Sequence, residues 1–191
     1  MALQLEFGVA PKTAMPGMIR IRGANMDDAK PLIAMCEYIV DTCYRSFLGD
    51  ELVDSFIRRE ALNRYIALHL GYFQLLTLGD EIVGCTVCKE NQIDLMMIDP
   101  RVAGFGLGTQ LLQYSEKRLF RSSPVLGLRS FAGNHQANTF YRKHGWEDMV
   151  AHTDRVSQVR EILFRKLDPM HVALSGDLTW RLTDSGNWRS C

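Results

Sequence analysis

The chain has 191 residues, 47% hydrophobic and 23% charged, which suits one globular domain with a substantial core and excludes a disordered or fibrous chain. Its 22 basic and 22 acidic side chains cancel, so no net field draws it to nucleic acid or an anionic membrane, and any anion site must be local. No apolar run approaches the roughly 20 residues that cross a bilayer, and the start lacks a basic n-region and carries Glu6; with five cysteines in no framework of spacings, a cytoplasmic protein with reduced thiols is expected.

Residues 1–17, with Pro11 and Pro16, read as a loose N-terminal arm, and "MIRIRGA" as the first strand of a domain spanning 18–168. Asn25 then caps a helix with acidic residues in its first turn and apolar positions at Leu32, Met35, Cys36 and Ile39, broken near Tyr44. A second amphipathic segment, "DELVDSFIRREALNRYIALHL", sets Leu52, Phe56, Leu62, Ile66 and Leu70 along one side of a helix that Gly71 stops. The period then changes to strands: "YFQLLTL" and "EIVGCTVCK" flank the turn dipeptide "GD", and "QIDLMMID" follows as a third strand ending at Pro100. Cys85 and Cys88 form a C-x-x-C, but no second ligand pair stands nearby and no helix begins there, so the reading is buried strand cysteines without metal.

Residues 107–121 repeat Leu107, Leu111, Ser115 and Leu119 at helical spacing, so this helix begins inside the glycine stretch "AGFGLG". "VLGLRSFA" returns to strand, "NHQANTFYRKHG" is a short helix, and "WEDMVAHT" with "VREILFRKL" forms a terminal antiparallel pair. The extension 169–191 carries Trp180 and Trp188 without firm pattern, the two rings favouring packing.

A strand, a glycine-rich turn and a helix start make an anion site, because unpaired N–H groups and the positive end of the helix dipole face one point. A Walker loop is excluded, since no Lys follows the last glycine; a dinucleotide fingerprint fits poorly, since the spacing is G-x-G-x-G after an antiparallel hairpin. A flexible loop with chance glycines is the bland alternative. Against it stands "NHQANTFYRKHGW", where Asn134 caps a helix and Ala137, Phe140, Tyr141 and His144 form one stripe. Asn134 and Tyr141 are nearly two turns apart and share a face, and a phenol with an ordinary pKa of about 10 is a proton donor at neutral pH.

Together the two segments resemble the GCN5-related N-acetyltransferase (GNAT) family. "IDPRVAGFGLG" looks like its acetyl-coenzyme A pyrophosphate loop and "NHQANTFYRKHGW" like its N-x-x-A-x-x-F-Y-x-x-x-G-[FW] segment, and the likeness extends over 18–168. The resemblance implies an α/β (α+β) GNAT fold: a mixed, mostly antiparallel sheet of six to seven strands flanked by about four helices. It implies acetyl-coenzyme A as cosubstrate, with Ile98 offering backbone groups to pantetheine and acetyl carbonyl, and Ala103, Gly104, Phe105, Gly106, Leu107, Gly108 and Thr109 around the pyrophosphate. Asn134 would hold the pantetheine arm, Tyr141 would protonate the departing thiolate, and Lys143 would approach a phosphate.

The general base is sought in Asp94, acting directly or through water with a raised pKa, with Glu90 as second choice. Acceptor contacts are expected from residues 44–51 and 152–159, with Tyr44, Arg45 and Asp50 named. One departure stands out: Ala103 occupies the position before the first loop glycine where many members have Gln or Arg, leaving backbone donors and Arg101 to compensate. The activity expected is direct transfer of acetyl to a primary amine of a small molecule or polypeptide, with family habit allowing a homodimer. A noncatalytic acyl-coenzyme A sensor is the alternative that Ala103 and the missing base suggest, and a dinucleotide oxidoreductase a remote third.

Overall fold

The computed structural model describes residues 18–153, 158–170, 180–182 and 188–190. The expected arm 1–17, part of the second acceptor segment (154–157), most of the extension, and the side chains of Trp180 and Trp188 lie outside the described residues.

Apolar alternation and two tight turns fold residues 73–98 into a meander of β2 (Phe73–Leu78), β3 (Glu81–Lys89) and β4 (Gln92–Ile98), preceded by β1 (Ile19–Gly23) at the edge. Gly79 and Asp80 make the first turn as the sequence predicts, and Glu90 and Asn91 make the second, Glu90 at φ 52°. With β5 (Val125–Phe131), β6 (Glu147–Thr153) and β7 (Arg160–Leu167) they form a seven-stranded sheet in the order β1-β2-β3-β4-β5-β7-β6. Every neighbouring pair is antiparallel except β4 and β5, which are parallel. In the extension, β8 (Trp180–Leu182) and β9 (Trp188–Ser190) pair as a separate two-stranded sheet, an element the sequence does not announce.

Strand β3 is buried from Ile82 to Cys88 because helices cover both of its faces. Cys85 looks to one face, its Sγ 3.8 Å from that of Cys36, whereas Cys88 packs on the other among Leu112, Trp146 and Phe164. Strand positions three apart face opposite ways, so the two thiols of the C-x-x-C cannot converge on one ion.

The first helix, α1 (Ala29–Ile39), buries Leu32, Met35, Cys36 and Ile39, the predicted stripe. Its lead-in turn is held by Asn25: the side chain accepts from Asp27 N–H at 2.8 Å, and the Asn25 N–H donates to Asp28, which also takes the Arg22 guanidinium at 2.7 Å. The break foreseen near Tyr44 is a π turn, Val40–Tyr44, followed by α2 (Arg45–Leu48). The segment 50–70, expected as one helix, is two: α3 (Asp50–Arg58) and α4 (Ala61–His69), separated by Glu60 at φ 49°. The apolar stripe itself requires the break. Phe56 and Leu62 are six apart, about 120° out of phase on one continuous helix, so a single rod buries one half of the stripe and not the other. Helix α3 buries Val53 instead and leaves Phe56 39% exposed, while α4 buries Leu62 and Ile66. Counting α5 (Leu107–Leu119) and α6 (His135–Lys143), six α-helices stand among the described residues rather than about four, owing to this break and to the short α2.

Candidate active site

Strands β4 and β5 pair only at Gln92↔Gly127 and Ile93↔Leu128 and then part. The opened edge of β4, Met96–Ile98, lines a cleft of about 340 Å³ between the π turn, the loop 99–106, and helices α5 and α6. The cleft opens where the neighbouring strand has diverged.

The loop is anchored at both ends and bare in the middle. Asp99 accepts the Arg101 N–H at 2.8 Å and binds its guanidinium, and the side chain of Phe105 packs with Leu76, Val83, Val102, Leu107 and Leu111. Between these anchors Gly104 and Gly106 take φ 83° and 78°, in the left-handed region that side chains resist. Gly106 is the cap residue of α5 and supplies no side-chain hydrogen bond; the first helical bond runs from Gln110 N–H to Gly106 O at 3.1 Å. The N–H groups of Leu107, Gly108 and Thr109 thus precede the ladder uncapped, with no acidic residue in the first turn. That donor set fits a pyrophosphate without needing a charged side chain.

Helix α6 forms the facing wall. Asn134 caps it by accepting the Ala137 N–H at 3.1 Å, which leaves its amide N–H₂ for the cleft. Tyr141 lines the cleft seven residues on, its ring packed beside Phe164 and Trp146 at 5.7 and 6.3 Å between centroids. Burial pushes its phenol up to about 12, so the hydroxyl keeps its proton at neutral pH. Tyr44, delivered by the π turn, lies near it; its phenol too is raised by burial and secondarily by Tyr141. The Tyr44 ring packs on Phe47 and Phe131 at 5.2 and 5.8 Å.

Several residues outside the two motifs frame this geometry. Asn138, 1% exposed, donates to the carbonyls of Phe131 and Ala132 at 3.1 Å each and ties α6 to the end of β5. Glu116 of α5 accepts the Trp146 indole N–H and the Lys166 ammonium at 2.8 Å each, and Lys166 also donates to the His144 carbonyl at 2.7 Å. This buried network fixes α6 against α5, the two carriers of the site. Gly133 permits the approach of α2: a Cβ there would lie 2.7 Å from Phe47 Cβ. Polar partners so far apart in sequence carry no local signal.

Of the residues named from the sequence, Tyr44, Ile98, Ala103, Gly104, Gly106, Leu107, Gly108, Thr109, Asn134 and Tyr141 converge on the cleft. Others do not. The Phe105 side chain turns into the core, and Lys143 is exposed, two residues and so about 200° around the helix from Tyr141. Arg101 cannot stand in for the missing side chain at Ala103, because Asp99 and Glu81 hold its guanidinium, at 3.2 Å for Glu81. Arg45 is bound to Asp41, Asp50 and Asp54 away from the cleft, with 3.1 and 2.7 Å to Asp50 and Asp54. Asp94 contradicts the expected base. It faces α4, bound to the Tyr65 hydroxyl and at 2.8 Å to Lys89. Burial by itself raises its pKa, but those two donors outweigh burial and hold the carboxyl below its ordinary value. Glu90 sits in the β3–β4 turn, outside the cleft lining.

The acetyltransferase (GNAT) domain family matches residues 36–160. The chain belongs to this family. It is 30% identical over 137 residues to the peptidyl-lysine N-acetyltransferase YjaB of Salmonella typhimurium, covering 68% of this chain and 84% of that protein. The GNAT fold also aligns with the PaiA N-acetyltransferase of Thermoplasma acidophilum, solved with coenzyme A, at TM-score 0.66 and 17% identity, over 78% of this chain and 99% of that one. The apo form of Escherichia coli YjaB aligns at TM-score 0.61 and 23% identity, over 78% and 97% of the two chains. The protein is therefore an acyltransferase of the GNAT family, with no helix among the described residues long and apolar enough to cross a membrane.

Proposed function

We propose that this protein transfers the acetyl group of acetyl-coenzyme A directly to a primary amine. The observation that carries the reading is the protonated, buried Tyr141 hydroxyl set across one cleft from an uncapped, glycine-opened helix start. The amides of Leu107, Gly108 and Thr109 hold the pyrophosphate; the Asn134 amide and the free edge of β4 at Ile98 align the pantetheine arm. The bound thioester supplies the activated acetyl group. As the neutral amine nitrogen bonds to the acetyl carbon and the C–S bond breaks, Tyr141 gives its proton to the sulfur, so that no free thiolate is released into an apolar cleft; the nitrogen loses its surplus proton to water, and the phenolate takes one back from water.

Ala103 leaves this scheme intact because its phosphate donors are main-chain groups. On the acceptor side, Tyr44 and the rings around it make an apolar wall against which the amine-bearing chain lies. A peptide-borne lysine is the acceptor to test first, given the relative of that activity. The test is an acetyl-transfer screen across small amines, peptide lysines and peptide α-amines, read by thiol release, with Tyr141→Phe as control. Thiol release that depends on one amine class and is lost in Tyr141→Phe supports the reading; failure of acetyl-coenzyme A to bind overturns it.

A further inference from the structure

Thr109 and His144 form a pair at the cleft that acetyl transfer leaves unused. Thr109 lies in the first turn of α5, with Oγ1 3.1 Å from Nε2 of His144 at the end of α6. The other ring nitrogen, Nδ1, lies 2.8 Å from the Phe140 carbonyl oxygen. A carbonyl oxygen only accepts, so Nδ1 carries the ring proton. In the neutral imidazole Nε2 is then bare and accepts from Thr109. The single hydroxyl hydrogen of Thr109 is committed to His144, and its oxygen presents lone pairs at the point where the uncapped amides of α5 gather.

An anion arriving there meets the amide donors but, at Thr109 Oγ1, lone pairs instead of a hydrogen. Protonation at Nε2 reverses the bond: Nε2–H donates to Oγ1, and the Thr109 hydrogen is released to a phosphate oxygen. We propose that a pyrophosphate-bearing ligand enters this cleft with uptake of a proton from solvent at His144, the Thr109 hydroxyl turning from His144 to the phosphate. His144 is on this account a positioning residue that acts through Thr109, and the inference rests on the coenzyme A reading of the cleft.

The charged groups around the ring come from α5, β7 and its own helix. On α5 it faces the positive helix start beside Thr109; on β7, Lys166 stands at the His144 carbonyl, its charge shared with Glu116 of α5 at 2.8 Å. On its own helix, Lys143 precedes it and Arg142 is bound to Asp148 of β6. A pyrophosphate held at the start of α5 brings negative charge beside the ring, which favours a second proton at Nε2.

The probe is dephospho-coenzyme A, whose two phosphates are fully ionised near neutral pH and contribute no proton of their own. It is titrated calorimetrically into the whole protein in two buffers of different ionisation enthalpy, and affinity is followed from pH 6 to about pH 9. The wild type is expected to take up a proton, its affinity falling by up to about tenfold per pH unit on the alkaline side. His144→Gln, whose amide donates to Thr109 without titrating, is expected to bind with no uptake and a flat profile. Thr109→Val keeps the imidazole but removes the hydroxyl, and its uptake is expected to fall sharply too. Tight binding with no uptake, or the same uptake in His144→Gln as in wild type, overturns the proposal and leaves the acetyltransferase reading standing. If dephospho-coenzyme A and coenzyme A both fail to bind, that reading falls and takes this one with it.

Discussion

The two walls of the cleft are made of different material. The wall of residues 103–109 and α6 presents main-chain N–H groups, one cap amide and one phenol, with the two glycines of its loop held at positive φ. The wall of the π turn presents a side chain, the Tyr44 ring, backed by Phe47 and Phe131 in mutual contact with it, and beyond them stands an Arg45 whose charge three aspartates already take up. A backbone cradle is indifferent to what its neighbours are, so one loop can serve a whole family. A wall of packed rings is particular to its chain, and under the proposed reading acceptor choice would reside there.

The largest effect that separates the walls is expected from Tyr141→Phe. Turnover should fall by about 10²–10⁴, the usual worth of a general acid, while calorimetric affinity for acetyl-coenzyme A and the urea midpoint stay near wild type. Equal loss of affinity would move Tyr141 from the chemistry to the cradle. The frame behind the cradle is tested by Glu116→Ala, which strands Lys166 and the Trp146 N–H in a nearly dry site and should cost about 3 kcal/mol in urea unfolding. Gly106→Ala follows: its Cβ meets nothing within 4 Å, so the expected loss of about 1–2 kcal/mol is backbone strain alone, accompanied by weaker cofactor binding. Wild-type affinity in this variant would show that the positive φ does not serve the ligand.

Smaller effects are expected away from both walls. Asp94→Asn should change turnover by less than about twofold, since its carboxylate serves Tyr65 and Lys89; a loss on the general-base scale of about 10²–10⁴ would restore it to the mechanism. The lowered pKa of Asp94 and Asp99 contributes stability that is present above the ordinary aspartate value of about 3.9 and is lost as pH falls through the folded values. Acid unfolding of Asp99→Asn should accordingly be shallower than that of wild type. On the alkaline side, a Tyr141 phenol at about 12 predicts no decline in turnover from loss of the acid below about pH 10.

Local pattern made most of this readable from the chain. The stripe of α1, the "GD" hairpin, the start of α5 within the glycines, and the Asn134 cap seven residues before Tyr141 are all short-range consequences of period, turn chemistry and cap chemistry. What escaped depends on partners distant in sequence. Asp94 looks like a free carboxylate beside the loop until α4 brings Tyr65 to it, and Arg101 looks like a phosphate ligand until Asp99 and Glu81 claim it. The break between α3 and α4 was written in the phase of the stripe between Phe56 and Leu62, but at Glu60 no glycine or proline marks it. Glu116, Asn138 and Gly133 are silent in sequence because their roles exist only across packed elements.

The central claim, that the glycine-opened start of α5 and the face of α6 bind acetyl-coenzyme A together, is tested most directly by following backbone amide shifts as the ligand is added. The account predicts saturable shifts concentrated at residues 104–110 and 134–141, with Tyr65, Lys89 and Asp94 unmoved. No saturable shift, or shifts centred on Arg45 and its aspartates, would contradict it.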